Sequence, residues 1–382
     1  MSYLDRLLEG VEVEWKPLGE YVDYEQPTTY LVESSNYNDN FTTPVLTAGK
    51  TFILGYTDET NGIYKASDNP VIIFDDFTTA NKWVDFDFKA KSSAMKILTS
   101  KDESKAVLRY IYYWLNTLPS GLVDGDHKRQ WISNYANKQI PIPCPDNPEK
   151  SLAIQKEIVR ILDTFTELTA ELTAELTAEL TARIKQYNYY RDQLLSFEDK
   201  EVEWESLGDV AEIGTGRHDT QDAVADGKYI FYARGREPLR LNAFDFDEIA
   251  IITAGDGVGV GKVFHYAQGE YALHQRAYRI VPREKINPRF VYHYITANFY
   301  TYVQKISVNS SVTSLRRPMF LKFPIPVPSP EEQERIVTIL DKFDTLTTSL
   351  TEGLPKEIEL RQKQYEYYRD MLLTFPKDNI KA

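Results

Sequence analysis

The chain contains Lys185-Gln186-Tyr187-Asn188-Tyr189-Tyr190-Arg191-Asp192-Gln193-Leu194-Leu195-Ser196-Phe197 and, 178 residues further on, Lys363-Gln364-Tyr365-Glu366-Tyr367-Tyr368-Arg369-Asp370-Met371-Leu372-Leu373-Thr374-Phe375. At the same offset, Ile158-Val159-Arg160-Ile161-Leu162-Asp163-Thr164-Phe165 returns as Ile336-Val337-Thr338-Ile339-Leu340-Asp341-Lys342-Phe343. A repeat at a fixed spacing indicates a structural unit that the chain uses twice. The sequence therefore predicts two helical segments of equal length.

Shorter repeated stretches lie at the borders of the sequence between these segments. Pro141-Ile142-Pro143-Cys144-Pro145 resembles Pro324-Ile325-Pro326-Val327-Pro328, and Val13-Glu14-Trp15 returns as Val202-Glu203-Trp204. Residues 18–20 match 207–209, and residues 3–8 resemble 190–195, so the chain begins within a repeat, like a ring that has been opened. The interiors share hardly any sequence. We therefore predict an internal pseudo-two-fold (circular) repeat whose frame is duplicated and whose contents differ.

Composition limits the class of protein. A length of 382 residues suggests two or three domains, and 42% hydrophobic residues are enough for buried cores. The net charge of −13 alone argues against nucleic-acid binding, yet the charge is unevenly distributed. Residues 20–140 hold 12 Lys and Arg against 16 Asp and Glu, whereas residues 209–328 hold 15 against 12. Most of the acidity therefore belongs to the helical parts, and DNA binding by the modules between them stays open.

The cysteine and hydropathy patterns bear on location. The single Cys144 excludes an internal disulfide and fits a reducing compartment. No stretch approaches the roughly 18–20 apolar residues of a membrane span, and none at the N-terminus resembles a signal peptide. The expected location is the cytoplasm, without membrane contact.

The repeated segments have helical composition. The stretch from Ser151 to about Phe197 contains neither Gly nor Pro and is rich in Glu, Leu, Ala, Gln and Lys, which predicts one long helix. A second helix is predicted from near Pro330, with a kink or break at Gly353 and Pro355. Each is too long for one globular domain, so we expect the two to pair as an antiparallel coiled coil.

The first helix carries Thr169-Ala170-Glu171-Leu172, which is repeated at 173–176 and 177–180. Locally, leucines at every fourth position are typical of a stretch of coiled-coil seam. A second interpretation is a length adjuster, because each unit adds roughly 6 Å of helix. DNA rises roughly 3.4 Å per base pair, so one unit would change the distance between the modules by one or two base-pair steps.

The segments between the helices are predicted to be α+β modules. Strand-like runs include 71–74, 249–253 and 278–281, and short helices are predicted at 105–116 and 288–303. The predicted domains are a first module at 1–147, a first spacer helix at 148–198, a second module at 199–328, a second spacer helix at 329–376 and a tail at 377–382.

Four features are distributed along the chain: the two Pro-Ile-Pro-x-Pro stretches, the Thr-Ala-Glu-Leu units, the paired Tyr-x-Tyr-Tyr-Arg-Asp-x-Leu-Leu ends and the Glu331-Glu332-Gln333 helix start. As a set they resemble the specificity subunits of type I restriction–modification enzymes, and the Thr-Ala-Glu-Leu units resemble the type IC subgroup. The resemblance covers essentially the whole chain. It implies that each module is a target recognition domain that reads one half of a bipartite double-stranded DNA site.

The resemblance also implies partners. The helices are expected to set the spacer and to bind two methyltransferase subunits, and motor-nuclease subunits are expected to complete the restriction form. Adenine methylation or restriction is then performed by the partners and not by this chain. S-adenosylmethionine, ATP and Mg are expected on those partner subunits, so no cofactor is expected on this chain.

Sequence readout requires side-chain donors at base edges, together with Lys and Arg on phosphates. The best cluster in the first module is 126–131, just before the first Pro-Ile-Pro stretch, and its counterpart in the second module is 310–317. The resemblance implies a polar loop that contacts DNA at this place. The predicted DNA-binding residues are Lys50, Lys82, Lys91, His127, Lys128, Arg129, Gln130, Trp131, Arg217, His218, Arg234, Arg236, Lys262, Gln275, Arg276, Ser311, Thr313, Arg316 and Arg317.

No catalytic site or metal site is predicted. Residues 255–261 are glycine-rich, but they fit a hairpin or bulge better than a dinucleotide loop, because residues 262–264 continue as a strand. Asn287-Pro288-Arg289-Phe290 resembles an adenine methyltransferase motif but lacks its second proline, so helix initiation explains it better. The five His and one Cys show no metal-ligand spacing. Two alternatives stay open at this point: a divergent DNA methyltransferase, and a coiled-coil adaptor whose modules bind protein.

Overall fold

The computed structural model describes residues 3–48, 51–119, 129–198, 200–257, 259–306, 315–349 and 351–376. The chain forms two compact units: unit 1 is Met1–Ala174 with Glu359–Ala382, and unit 2 is Glu175–Ile358. Both division points lie inside helices, so each unit combines one α+β module with parts of the helical frame.

Helices account for the frame and for part of each module. The α-helices within the described residues are α1 (Tyr3–Leu7), α2 (Leu108–Leu115), α3 (Gln130–Ser133), α4 (Pro148–Leu194), α5 (Leu207–Val210), α6 (Pro288–Ile306), α7 (Arg317–Leu321), α8 (Pro330–Thr348) and α9 (Leu354–Leu373). Short 3-10 turns lie at Leu18–Glu20, Pro27–Tyr30, Tyr135–Asn137 and Thr220–Asp222. None of these helices is both long and apolar enough to cross a membrane.

The predicted first spacer helix is α4. It begins at Pro148, where the side-chain oxygen of Asn147 accepts a hydrogen bond from the Lys150 amide at 3.0 Å. A proline at the first turn costs no hydrogen bond, because the first amides of a helix have no partner within it. The helix is 47 residues long, which corresponds to roughly 70 Å, and it contains no Gly or Pro after Pro148.

The second spacer is interrupted as predicted. Helix α8 begins at Pro330 with Ser329 as its N-cap, and it ends at Thr348, before α9 begins at Leu354. Gly353 has a φ of +84°, and a Cβ at this position would lie 2.4 Å from the Thr345 carbonyl oxygen. Only glycine tolerates both the left-handed backbone and the close approach, so Gly353 fixes the position of the break.

In the part of unit 1 that the structure describes, the strands form three sheets. Their strands are β1 (Val13–Pro17), β2 (Val22–Glu25), β3 (Thr43–Leu46), β4 (Ile53–Thr57), β5 (Val71–Asp75), β6 (Asn81–Val84), β7 (Lys89–Ala90), β8 (Met95–Ser100) and β9 (Gln139–Pro143). The sheet orders are β2-β8-β5-β6, β4-β3-β7 and β1-β9. The predicted strand at 71–74 is β5, which is buried along its whole length, and the predicted helix at 105–116 is α2.

The main sheet of unit 2 differs from the sheets of unit 1. The strands of the whole unit are β10 (Glu203–Ser206), β11 (Ala211–Thr215), β12 (Tyr229–Tyr232), β13 (Leu239–Leu241), β14 (Phe246–Ala254), β15 (Phe264–Leu273), β16 (Ala277–Pro282) and β17 (Pro324–Val327). Six of them form one sheet in the order β11-β16-β14-β15-β12-β13. The glycine-rich stretch joins antiparallel β14 and β15, as the hairpin interpretation predicted. The modules therefore differ in topology as well as in sequence.

The repeated border stretches pair with each other and close each module. Strand β1 runs antiparallel to β9, and β10 runs antiparallel to β17. Trp15 lies opposite Pro141, whereas Trp204 lies opposite Pro326. Pro141 therefore corresponds to Pro326, and the match of Pro141 with Pro324 was wrong by two residues. The alternating Ile-Pro pattern aligns equally well when one stretch is shifted by two residues. Only the hydrogen-bond register of the strands therefore shows which prolines are equivalent.

The helical repeats make equivalent contacts in the two units. In unit 1, Phe165 of α4 packs on Tyr368 of antiparallel α9, with ring centroids 5.7 Å apart. In unit 2, Phe343 of α8 packs on Tyr190 of α4, also with centroids 5.7 Å apart. The buried cores repeat as well, because Ile158, Leu162 and Phe375 of unit 1 have the repeat positions of Ile336, Leu340 and Phe197 of unit 2. The predicted pseudo-two-fold repeat of the frame is present at the level of contacts.

Candidate nucleic-acid interface

A buried glutamine attaches each module to its own spacer helix. The side-chain oxygen of Gln155 accepts from the Val107 amide at 2.9 Å, just before α2. At the equivalent position of unit 2, Gln333 accepts from the Asn287 amide at 2.7 Å, and its nitrogen donates to the Pro328 carbonyl at 2.8 Å. Both glutamines are almost completely buried. A buried amide must satisfy its donors and acceptors, so these contacts fix where each module sits on its helix.

An aspartate adds a charged contact further along each spacer helix. Asp163 accepts from Arg109 Nε at 2.8 Å, and Asp341, at the same repeat position, accepts from Arg289 Nε at 2.7 Å and His293 Nε2 at 2.6 Å. Burial acts to raise the pKa of Asp341, but the hydrogen bonds from His293 and Arg289 outweigh it and lower that pKa. The carboxylate is therefore charged at neutral pH and holds α6 against α8.

This attachment also explains the Asn287-Pro288-Arg289-Phe290 stretch. The Asn287 side-chain oxygen accepts from the Arg289 and Phe290 amides at 2.8 and 3.2 Å. It is therefore a helix cap for α6, which confirms helix initiation as the explanation of this stretch.

Two of the predicted cations in unit 2 share one carboxylate. Asp256, in the β14–β15 hairpin, accepts from Arg234 Nη1 at 2.9 Å through one oxygen and from Arg276 Nη1 at 3.1 Å through the other. Arg234 follows β12, and Arg276 lies between β15 and β16. Three separate loops of the sheet therefore meet at this ion-pair group.

Predicted residues on a fourth loop join the same region. Arg217 Nε lies 2.7 Å from Asp245 Oδ1, and His218 Nε2 lies 3.2 Å from that oxygen. The Gln275 amide donates to the His218 carbonyl at 2.9 Å, and its side chain donates to Asp219 at 3.0 Å. The structure therefore brings the 217–218 and 275–276 candidates together, although they lie far apart in the sequence.

A close backbone approach positions Arg217. A Cβ on the preceding Gly216 would lie 1.9 Å from the Leu273 carbonyl oxygen, which accepts a hydrogen bond from the Arg217 amide at 3.2 Å. Any side chain at 216 would push the two segments apart. The glycine is therefore required for the candidate residues on both segments to meet.

An open cleft of about 710 Å³ lies beside the ion-pair group. Arg234, Arg236 and Lys262 line it together with Asp256, so cations outnumber carboxylates among its described charged lining residues. Such a cleft favours a polyanion electrostatically. The Leu315 amide donates to the Gly255 carbonyl at 2.7 Å, which brings the exposed Arg316 and Arg317 close to the same hairpin.

His274 is a buried histidine next to the ion-pair group. Its side chain is buried, and burial lowers its pKa, with the nearby Arg234 acting in the same direction. The ring is therefore neutral at physiological pH. Its Nδ1 accepts from the Arg276 amide at 2.9 Å, which holds the backbone of that arginine in place.

In unit 1 the candidate group is smaller. The Gln26 amide oxygen, in the orientation that satisfies its hydrogen bonds, accepts from Arg129 Nη1 at 2.5 Å and from Lys96 Nζ at 3.0 Å. Lys96 is buried with Asp76, at an N–O distance of 3.6 Å, and burial lowers the pKa of this lysine despite the aspartate. The exposed Arg129 is therefore held by Gln26, which in turn contacts the buried pair of Lys96 and Asp76.

Two predicted contacts in unit 1 require correction. Trp131 is 1% exposed, and its ring packs on Phe74 with centroids 5.2 Å apart, so it belongs to the core. Gln130 is also buried, and its backbone N–H donates to the backbone carbonyl of Asp76 at 2.8 Å. Neither side chain is accessible to a base in this structure. Both instead anchor the start of α3 behind Arg129.

The remaining predicted residues of unit 1 lie on other strands. Lys82 is exposed on β6, and Lys91 follows β7, where its Nζ donates to Ser35 Oγ at 3.1 Å and lies over the Tyr37 ring. The structure does not bring Lys82 and Lys91 onto one sheet. Five further candidates lie outside the described residues: Lys50, His127, Lys128, Ser311 and Thr313.

Comparison with known proteins identifies the family. The profile of the family described as "Type I restriction modification DNA specificity domain" matches residues 10–182 and again residues 200–360. The chain belongs to the type I restriction–modification specificity subunits. Its two family domains correspond to the two copies of the repeated frame, and the resemblance seen in the sequence is confirmed. The chain is a DNA-recognition subunit and not an enzyme.

Relatives of this specificity subunit cover its whole length. It is 54% identical to the EcoR124I/EcoR124II specificity subunit of Escherichia coli, over 99% of this chain and 98% of that protein. It is 33% identical to the EcoprrI specificity subunit of Escherichia coli, over 92% of both. The S subunit of a type I system from M. genitalium, 16% identical, has the same fold with a TM-score of 0.56 over 97% of this chain and 98% of that chain.

Sequence reasoning missed the acidic members of the specificity subunit's candidate interface. Asp245 and Asp256 each contact two of the predicted basic or histidine side chains, and Asp76 supports the Arg129 group. No sequence signal marks them, because their partners are distant along the chain. The sequence criteria covered only donors for base edges and cations for phosphates, whereas here carboxylates contact several of those cations.

Proposed function

We propose that this specificity subunit recognises a bipartite DNA site, with each module reading one half. The observation that carries the proposal is that two modules of different topology are held by the same buried Gln contacts and the same partly exposed Asp contacts in equivalent frames. Two modules that are attached in the same way but have different surfaces are suited to recognise two different DNA sequences. The basic cleft of unit 2 and the exposed Arg129 of unit 1 supply donors for phosphates and base edges.

The helical frame supports a proposal about partners. Tyr189 and Tyr367, at equivalent repeat positions, are 62% and 66% exposed. Their neighbours Tyr190 and Tyr368, which are less exposed, pack on phenylalanines, so one aromatic ring of each pair is held by the frame while the other is mostly in solvent. Exposed aromatic side chains on a fixed support are typical of protein interfaces. We propose that each copy binds one methyltransferase subunit.

The type I partners then supply the chemistry. A further solved chain with the same fold, 15% identical with a TM-score of 0.59, comes from work on complex assembly of the type I restriction–modification system. On this proposal, S-adenosylmethionine, ATP and Mg bind to methyltransferase and motor-nuclease subunits, and this chain directs adenine methylation or restriction by its DNA contacts. The complex acts in the cytoplasm, where bacterial DNA lies.

Methylome sequencing tests the proposed function. A strain that lacks other adenine methyltransferases would carry only this subunit and its methyltransferase subunit. The expected result is one split motif, with two specified half-sites around an unspecified gap and a methylated adenine in each half. An active complex that methylates without any such split motif would contradict the proposal.

A further inference from the structure

Asp256 has an unusual position for an acidic side chain. It lines a cleft whose other charged lining residues are Arg234, Arg236 and Lys262, among the described residues. A carboxylate at this place repels the DNA backbone and weakens general binding. Asp256 therefore has a function other than raising the affinity for DNA.

The contacts of Asp256 indicate that function. Each carboxylate oxygen is engaged by a different arginine, Arg234 at 2.9 Å and Arg276 at 3.1 Å. Burial acts to raise the pKa of Asp256, but the two arginine hydrogen bonds outweigh it and lower that pKa, so the group is an anion at neutral pH. A charged acceptor between two planar guanidinium groups restricts the rotation of both.

The two arginines keep donors available for a ligand. The Arg234 and Arg276 side chains are 41% and 63% exposed, and each uses one Nη atom on Asp256. The backbone of Arg276 is fixed on both sides, because its amide donates to His274 Nδ1 at 2.9 Å and its carbonyl accepts from the Gly255 amide at 2.8 Å. Because the Arg276 backbone and both guanidinium groups are held, the remaining N–H groups of the two arginines have defined positions.

We propose that Asp256 is a positioning residue that orients Arg234 and Arg276 to read guanine in the half-site of the second module. The proposal rests on the proposed function, that unit 2 reads one half of a bipartite site. An arginine contacts guanine through paired hydrogen bonds to O6 and N7, and this contact depends on the plane of the guanidinium group. Free arginines would still bind phosphates, but they would discriminate bases less well.

The test compares Asp256→Asn with Glu237→Gln in the complex with the methyltransferase subunit. Both substitutions remove one negative charge from the same region, since Glu237 is exposed and follows Arg236. Only Asp256→Asn weakens the ion-pair group. Methylome sequencing then gives the second half-site, while the first half-site, read by unit 1, serves as an internal control for folding and assembly.

For Asp256→Asn we expect relaxed discrimination at a guanine of the second half-site, by roughly ten- to a hundredfold, the size of a lost bidentate contact. Binding to unrelated DNA should be unchanged or stronger, because a repulsive charge is removed. A merely structural defect would weaken specific and unrelated binding together. Asp256→Glu should restore part of the discrimination.

The outcomes separate this proposal from the proposed function. If the wild-type complex gives a split motif, and Asp256→Asn leaves the second half-site as sharp as Glu237→Gln does, the positioning role is wrong. Equal relaxation by both variants would also overturn it, because loss of charge alone would then explain the effect. Failure of the wild-type complex to give a split motif would instead contradict the proposed function.

Discussion

At the scale of single residues, a few polar side chains of the helical frame determine where the recognition modules lie. Gln155 and Gln333, and likewise Asp163 and Asp341, have the same repeat positions and receive equivalent donors from their modules. Apart from these contacts and the paired border strands, the modules differ in sequence and in sheet topology. These polar contacts join a repeated spacer helix to the start of a module helix. Modules with different interiors can therefore attach to the helical frame in the same way.

Removing the carboxylate of Asp341 tests this attachment. We expect Asp341→Asn to lower the free energy of unfolding of unit 2 by about 1 kcal/mol, less than a buried hydrogen bond to a charged group contributes, because the Asp341 side chain is 38% exposed. The control is Asp192→Asn, which removes a 65% exposed carboxylate paired with its neighbour Arg191. Urea unfolding at neutral pH measures both, and equal midpoints for the two variants would contradict the assigned role.

The same group has a predicted pH dependence. The pKa of Asp341 is lowered in the folded state, so its stabilisation is present above the ordinary carboxyl range and is lost as the pH falls through the lowered value. The stability difference between wild type and Asp341→Asn should therefore shrink in acid. A difference that grows as the pH falls would show that the carboxylate is not held as an anion.

At the scale of elements, the sequence is most informative where the local chain determines the outcome. Helix α4 was predictable because 47 residues without internal Gly or Pro leave few alternatives. The break before α9 was predictable because of Gly353 and Pro355. The register of the border strands was not predictable, since alternating Ile and Pro fit two registers. The hydrogen bonds from the Leu18 and Leu207 amides to the Lys138 and Phe323 carbonyls, just before the opposite strands, decide between them.

Candidate site residues follow the same division. Local composition identified the basic residues of unit 2, and the sheet brings several of them together. Composition could not distinguish Trp131 from an exposed aromatic side chain, because its burial depends on Phe74, far away in sequence. The orienting carboxylates of Asp245 and Asp256 were missed for the same reason.

Gly353→Ala tests the helix break. The substitution places a Cβ in a backbone with φ of +84° and within 2.4 Å of the Thr345 carbonyl oxygen, so we expect a loss of about 2 kcal/mol or more in the free energy of unfolding. Gly10→Ala is the matched control, because its φ is +66° but no atom lies within 4 Å of the added Cβ. Thermal and urea unfolding should rank Gly353→Ala as clearly the more destabilising. The reverse order would contradict the steric account.

At the scale of the whole molecule, the duplicated frame predicts duplicated partner binding. We expect Tyr189→Ala and Tyr367→Ala each to weaken the binding of one methyltransferase subunit by about 2 kcal/mol, or roughly thirtyfold, as for a central aromatic contact. Phe244→Ala, which removes a 39% exposed ring from a recognition module, is the control. Native mass spectrometry should show loss of one bound copy for each single variant and of both for the double variant. Unchanged stoichiometry in the double variant would exclude these tyrosines from the interface.

We propose that the repeated frame carries two different readers and that the length of helix α4 sets the gap between their half-sites. Deletion of residues 173–176 removes one Thr-Ala-Glu-Leu unit and shortens the helix by roughly 6 Å, without changing either module. Methylome sequencing of strains carrying the wild-type and deleted subunits measures both half-sites and the gap between them. We predict that both half-sites are unchanged and that the gap shortens by about one base pair. An unchanged gap in an active complex, or a change in either half-site, would contradict the account.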